Sequence, residues 1–209
     1  DYSGNKNKGT LVNGPVWTSG KLGKALNFDG TNDFVSVLDS ASLDITSAIT
    51  MAGWVKYTSI SASQYDRIFE KATASCANPY VSYSLNLDGG AQNQFQFSLS
   101  TGGTIDSLDS TTIPTTGRWY HVVGTWDGSV QRIYVNGIQE NSASLSGSLT
   151  TSNVNLRIGR SALAGIGSCG NGQLNGLIDA VRVYNRALGA SEVRALYNTG
   201  AFKYTPPNN

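Results

Sequence analysis

The sequence predicts an all-β chain, a two-sheet antiparallel jelly-roll sandwich with one short C-terminal helix. Three observations carry the prediction. Short apolar–polar alternations recur along the 209 residues, the mark of strands with one buried face. Twenty-four glycines, together with frequent serine, threonine and asparagine, punctuate those alternations with turn chemistry. A helical period appears once, close to the C-terminus.

In chain order, Leu26 and Phe28 alternate with Asn27, and the turn Asp29-Gly30-Thr31-Asn32 leads into Phe34-Val35-Ser36-Val37. Residues 49–55 and 67–71 are the next strand candidates. The clearest pair is Tyr83-Ser84-Leu85-Asn86-Leu87 with Phe95-Gln96-Phe97-Ser98-Leu99, joined through Asp88-Gly89-Gly90-Ala91. One face of this hairpin is Tyr83, Leu85, Leu87, Phe95, Phe97 and Leu99. The other is Ser84, Asn86, Gln94, Gln96 and Ser98, so one face packs on a second sheet while the other meets water or ligand. Strands follow at 119–126, 132–135, 155–159 and 177–184. Gly189-Ala190-Ser191-Glu192 then starts a helix through a capping box, and Val193, Leu196 and Tyr197 form its apolar stripe. Residues 1–203 read as one domain, and 204–209, with Pro206-Pro207, as a linker-like tail of a longer protein.

Charge narrows the function classes. Fifteen basic and fourteen acidic residues leave a net charge of +1, and the basic residues are scattered. Such a surface has no electrostatic reason to bind nucleic acid or an anionic membrane, and no apolar run is long enough to span a bilayer. Two cysteines and one histidine are too few for a structural zinc site. Cys76 and Cys169 are either two buried thiols or a disulfide. Both lie in turn-rich stretches where a bare thiol would be open to oxidation, which favours the bridge and an extracytoplasmic compartment. Closing so long a loop gives roughly 4–5 kcal/mol as an upper figure.

Several blocks resemble one family. Asp1-Tyr2-Ser3-Gly4-Asn5, residues 23–35, Gly117-Arg118-Trp119-Tyr120-His121-Val122-Val123, Ile133-Tyr134-Val135-Asn136-Gly137 and residues 176–188 are similar, in order, to laminin-G-like domains of the concanavalin A-like lectin/glucanase superfamily. The resemblance implies the jelly roll but no particular ligand, because the fold hosts lectins, carbohydrate-binding modules, adhesion domains and polysaccharide-cleaving enzymes. It also implies a calcium site at the sandwich edge, falling here on Asp29, Gly30 and Asp179, with Asp1 as a further ligand. Calcium wants six to eight hard oxygens, which carboxylates and turn carbonyls supply. The alternative is that Asp29 makes an Asx turn and Asp179 pairs with a neighbouring base.

Catalysis finds little support in the residues. The glucanase relatives need two carboxylates across a cleft, but Glu70, Glu140 and Glu192 have no acidic partner at strand spacing, and Glu140 falls in a turn-rich stretch. A lyase would draw on Arg67, Gln94, Gln96, His121 and Tyr83, yet His121 sits within a structural block and reads as core. The four tryptophans also read as core. Tyr57, Tyr65 and Tyr80 sit near loops beside Arg67, a mix of ring faces and polar groups that suits a sugar. A Cys76–Cys169 bridge would gather Arg67, Asn78, Tyr80, Asn171 and Gln173 at one rim of the polar sheet face. The expectation is a secreted, noncatalytic, calcium-stabilised module that binds a polysaccharide or glycan, monomeric within a larger extracellular protein. A laminin-G-type protein–protein adhesion domain is the alternative, and a lyase or hydrolase the third reading.

Overall fold

Strands that alternate one residue in and one out must pair twice to bury their inner face, and this chain does so in two layers. The structure is a computed structural model and describes residues 1, 3–61, 65–73, 78–90, 92–164 and 172–199. Numbered along the chain, the first sheet runs in spatial order β1 (Gly9–Val12), β4 (Phe34–Val37), β13 (Leu156–Ile158), β6 (Arg67–Ala72), β7 (Val81–Leu87), β8 (Phe95–Thr101) and β9 (Thr104–Asp109). The second runs β12 (Ile138–Ser144), β11 (Val130–Val135), β10 (Tyr120–Trp126), β5 (Ile49–Ser59), β14 (Asn175–Tyr184), β3 (Lys24–Asp29) and β2 (Val16–Ser19). Every pairing is antiparallel. This is the expected jelly-roll sandwich.

The core lies between the sheets. The apolar face of the 83–99 hairpin points into it as the alternation predicts, with Leu85, Phe95 and Phe97 wholly buried. Each such side chain contributes on the order of 1.5–3 kcal/mol. A register shift in β6 between Arg67 and Phe69 lets the consecutive Ile68 and Phe69 both enter the core. Tyr57 is a correction: β5 continues to Ser59, and the ring is fully buried rather than set at a loop.

The tryptophans divide. Trp126 is buried and its indole N–H donates to the Leu145 carbonyl at 2.8 Å, and Trp54 is 3% exposed. Trp17 departs from expectation at 57% exposed. It sits on β2, an edge strand whose four residues are all exposed, with no further strand beyond it among the described residues.

The helix α1 (Ala190–Thr199) begins where the capping signal places it. The Gly189 N–H donates to Glu192 Oε2 at 2.9 Å, and the Arg186 guanidinium donates to both oxygens of Glu192. Val193 and Leu196 are fully buried against Ala52, Val123, Tyr134 and Leu188, so the helix closes the outer face of the second sheet. The expected domain end at 203 and the tail 204–209 lie outside the described residues.

Candidate functional site

With the second sheet's outer face closed by α1, the outer face of the first sheet is the open one, and strand parity makes it polar. Arg67 lies opposite Asn86, Glu70 opposite Ser84 and Arg157 opposite Glu70, so these side chains share that face. Ser84 and Asn86 continue to Ser98 and Gln96 on β8, then to Ser107 and Asp109 on β9.

These groups fix one another. Ser84 Oγ donates to Asn86 Oδ1 at 2.9 Å, and the Asn86 amide donates to Gln96 Oε1 at 3.3 Å. Gln96 Nε2 donates to Asp109 Oδ1 at 2.8 Å, and Ser98 and Ser107 share a hydrogen bond of 2.8 Å. The result is a ladder of amides and hydroxyls held in one arrangement by its own hydrogen bonds.

A shallow groove of about 60 Å³ runs over this ladder, lined by Tyr65, Arg67, Tyr80, Ser84, Gln96 and Ser98 among others. Its two tyrosines are exposed, Tyr65 by 43% and Tyr80 by 40%. The Arg67 guanidinium lies 5.1 Å from the Tyr65 ring centre. Its Nε meets Glu70 Oε2 at 2.6 Å, while Glu70 Oε1 accepts from Ser161 Oγ at 3.0 Å and the Ala162 N–H at 2.6 Å. One buried carboxylate thus anchors both the guanidinium and the 161–162 turn. Two glycines permit the ring's seat. A Cβ on Gly89 would lie 3.1 Å from the Tyr65 ring, and one on Gly172 would lie 2.2 Å from the Tyr65 carbonyl oxygen. Asp66, next in the chain, is 2% exposed and accepts from the Ser61 N–H at 3.3 Å. Burial raises its carboxyl pKa to about 6.

Of the residues expected to form a sugar site, Arg67 and Tyr80 meet in this groove. Gln173 is bridged to Arg160, and its neighbour Gly172 packs against Tyr65 and Arg67. Asn78 is exposed two residues before Tyr80. Asn171, Cys76 and Cys169 lie outside the described residues, and so does the bridge expected to join the last two. Ser107 and Ile105 also line the groove. Their strand, β9, carries no run of apolar alternation that would have announced it.

The residues expected to hold calcium do not come together in the structure. Asp29 lies opposite Asn175, whereas Asp179 belongs four residues further along β14, beyond the Ile178–Leu26 pair. At roughly 3.3 Å per residue, the two carboxylates stand at opposite ends of β3. Asp29 Oδ1 accepts from the Thr31 N–H at 2.8 Å, the Asx turn, with Gly30 inside it at a φ of 77°. Asp179 Oδ2 accepts from the Leu22 N–H at 2.7 Å. Asp1 caps its own segment, accepting from the Ser3 and Asn7 N–H groups. Among the described residues no three His, Cys, Asp or Glu side chains form a group able to hold a metal ion.

Of the residues weighed for catalysis, Arg67 and Gln96 line the groove, while Tyr83, His121 and Glu140 lie elsewhere. Tyr83 is in the core with its hydroxyl donating to the Leu43 carbonyl at 2.9 Å. His121 is wholly buried under α1, 5.0 Å from the Trp54 ring, and burial together with Arg182 lowers its pKa to about 4. Glu140 is not in a turn but on β12, accepting from the Thr111 and Thr112 N–H groups at 2.9 Å each. A larger cavity of about 190 Å³ opens beside Trp17, lined mainly by Leu26, Phe28, Ile158, Ile178 and Val181. It lacks the array of hydroxyls and amides found over β7 to β9.

Known proteins share this architecture. Domain 4 of AbnA, a GH43 extracellular arabinanase from Geobacillus stearothermophilus solved with arabinotriose, superposes with a TM-score of 0.71 at 21% identity, covering 95% of this chain and 92% of that one. The binding domain of Paraclostridial Mosquitocidal Protein 1 gives 0.70 at 16% identity, covering 96% of this chain and 49% of that one. The botulinum neurotoxin serotype G binding domain gives 0.71 at 15% identity, with 94% and 47% covered. The chain therefore spans about half of each toxin domain. No curated protein sequence matches it. The family model described as the concanavalin A-like lectin/glucanases superfamily matches residues 29–194, most of the sandwich, and the chain belongs to that superfamily.

Proposed function

We propose that this domain is a noncatalytic carbohydrate-binding module whose site is the groove over β6 to β9. One observation carries the reading: two half-exposed tyrosines and an anchored guanidinium stand over a ladder of hydroxyls and amides. A sugar presents apolar C–H faces and a rim of hydroxyls, and this surface offers ring faces for the first and paired donors and acceptors for the second. The ladder is already ordered by its own bonds, so binding costs little further side-chain entropy. The arabinotriose bound by the arabinanase domain supports the same reading.

The test is a glycan array probed with the whole chain. Retention of a defined polysaccharide supports the module, and a blank array overturns it. We further infer that the module works outside the cytoplasm, with Cys76 and Cys169 joined. Thiol labelling of fresh, denatured, unreduced protein is expected to find no free thiol, and two labelled cysteines would overturn the bridge.

The edge strand β2 favours a second reading, adhesion to a protein. Val16 and Trp17 are 62% and 57% exposed there, and an uncharged apolar edge invites strand pairing. A blank glycan array together with partner binding abolished by Trp17→Lys would support that reading over the first.

A further inference from the structure

The charges around the groove specify more than a sugar. Among the described residues lining it, Arg67 is the one that carries a charge. That charge is already matched by Glu70 at 2.6 Å. Glu70 is 1% exposed and tied by its second oxygen to Ser161 and Ala162, so it cannot swing aside for an incoming anion. Across the groove, Asp109 holds the Gln96 amide and adds a second carboxylate. The next cations along the sheet, Arg157 and Arg160, lie over the Phe34 ring at 4.5 and 5.9 Å, on the far side of Glu70. Arg157 also donates to the Ser161 carbonyl at 3.0 Å.

We propose that the groove selects uncharged glycans and rejects those bearing a carboxylate, a conclusion that rests on the carbohydrate reading above. An acidic sugar placed at Arg67 would bring a second carboxylate against a buried one, while the next cations along the sheet, Arg157 and Arg160, are held over Phe34 beyond Glu70. Neutral hydroxyls meet no such cost. The guanidinium has five N–H donors, of which Glu70 engages the Nε side, leaving donors suited to a hydroxyl oxygen. Ser84, Ser98, Ser107 and Gln96 complement it, since each can donate or accept.

The experiment uses an array that pairs neutral glycans with uronate- or sialate-bearing counterparts of the same linkage. The expected hits are neutral, with the acidic counterparts at least about ten-fold weaker. Hits confined to acidic glycans would overturn the charge selection while leaving the carbohydrate reading intact. A blank array would overturn that reading, and the selection with it.

Glu70→Gln is expected to release the Arg67 charge and strengthen binding of the acidic counterpart of a hit about ten-fold. No gain in a folded variant would overturn the role given to Glu70. If this variant does not fold, the wild-type protein still decides. Its affinity for a neutral hit is expected to change less than about two-fold between roughly 0.02 and 0.5 M salt, because no unpaired charge is being screened. A ten-fold loss over that range would overturn the proposal.

Discussion

The two outer faces of the sandwich are built on sheets of seven strands each and end in opposite states. On the second sheet, Ala52, Val123 and Tyr134 form an apolar seat that α1 fills with Val193 and Leu196. Trp54 and Tyr197 stack there at 5.5 Å, with His121 beside them. On the first sheet, the same positions of the pleat carry Ser84, Asn86, Gln96 and Ser98, which satisfy one another and need no cover. One face is spent on stability. The other is left wet, ordered and available.

If that division holds, substitutions on the two faces have separable effects. The largest is expected at the helix. Leu196→Ala should lower unfolding free energy by about 2–5 kcal/mol, the range for a buried leucine, while leaving glycan affinity unchanged in the still-folded protein. A denaturant melt and calorimetry check both halves, and a loss of affinity would break the comparison.

The titrations of the two faces oppose each other. Asp66 beside the groove has its folded pKa raised by burial to about 6, above the usual aspartate value of 3.8. Its contribution is therefore present below about pH 4 and lost as pH rises through 6. His121 under the helix is depressed by burial to about 4 from 6.5, so its contribution is present above pH 6.5 and lost as pH falls through 4. Each is worth about 3 kcal/mol across its window. Asp66→Asn should leave the protein steadily weaker toward acid, and His121→Phe steadily stronger. Unfolding free energies measured between pH 4 and 7 should show slopes of opposite sign, and equal slopes would refute the assignment.

Smaller still is the groove's own effect. Tyr80→Ala should weaken binding of an array hit by about 1–3 kcal/mol with the melting temperature unmoved, because the ring is half exposed and lines the proposed groove. Unchanged affinity would move the site. Asp179 lies on the second sheet opposite Trp54, away from the groove. Asp179→Ala should cost about 1–2 kcal/mol through the lost acceptor for the Leu22 N–H, and equally in chelator and in excess calcium. A loss seen only with calcium present would assign a metal to that turn.

What the sequence revealed follows the same division between covered and uncovered. The 83–99 hairpin was legible because burial of one face enforces strict alternation, and the helix because Glu192 and the 193–196–197 stripe obey its period. The four strands not anticipated, β1, β2, β9 and β12, are the four edges of the two sheets. An edge strand has only one neighbour, and here its residues are mostly exposed, so nothing forces an apolar residue at every second position. Tyr57 was misplaced for the converse reason, since β5 runs on past the point where Lys56 interrupts its apolar run. Arg67 and Tyr80 were found as residue types, but the Glu70 anchor was not. A carboxylate three positions from an arginine on a strand faces it only because the β6 bulge shifts the parity.

The placement of β14 also sets the order of events during synthesis. Although it comes last among the strands, it lies between β5 and β3 and supplies both with hydrogen-bond partners. β13, the strand before it, likewise joins β4 to β6. Neither sheet is continuous until these two segments have left the ribosome. A nascent chain ending near residue 150 holds β3, β4, β5 and β6 as open edges, the state in which one copy recruits strands from another. Folding dominated by pairings this distant in sequence proceeds on a scale of milliseconds to seconds rather than microseconds. Shortening the chain from its C-terminal side before Tyr184 therefore removes the piece that makes the two sheets continuous, and expression of such fragments should fail by aggregation rather than by loss of binding.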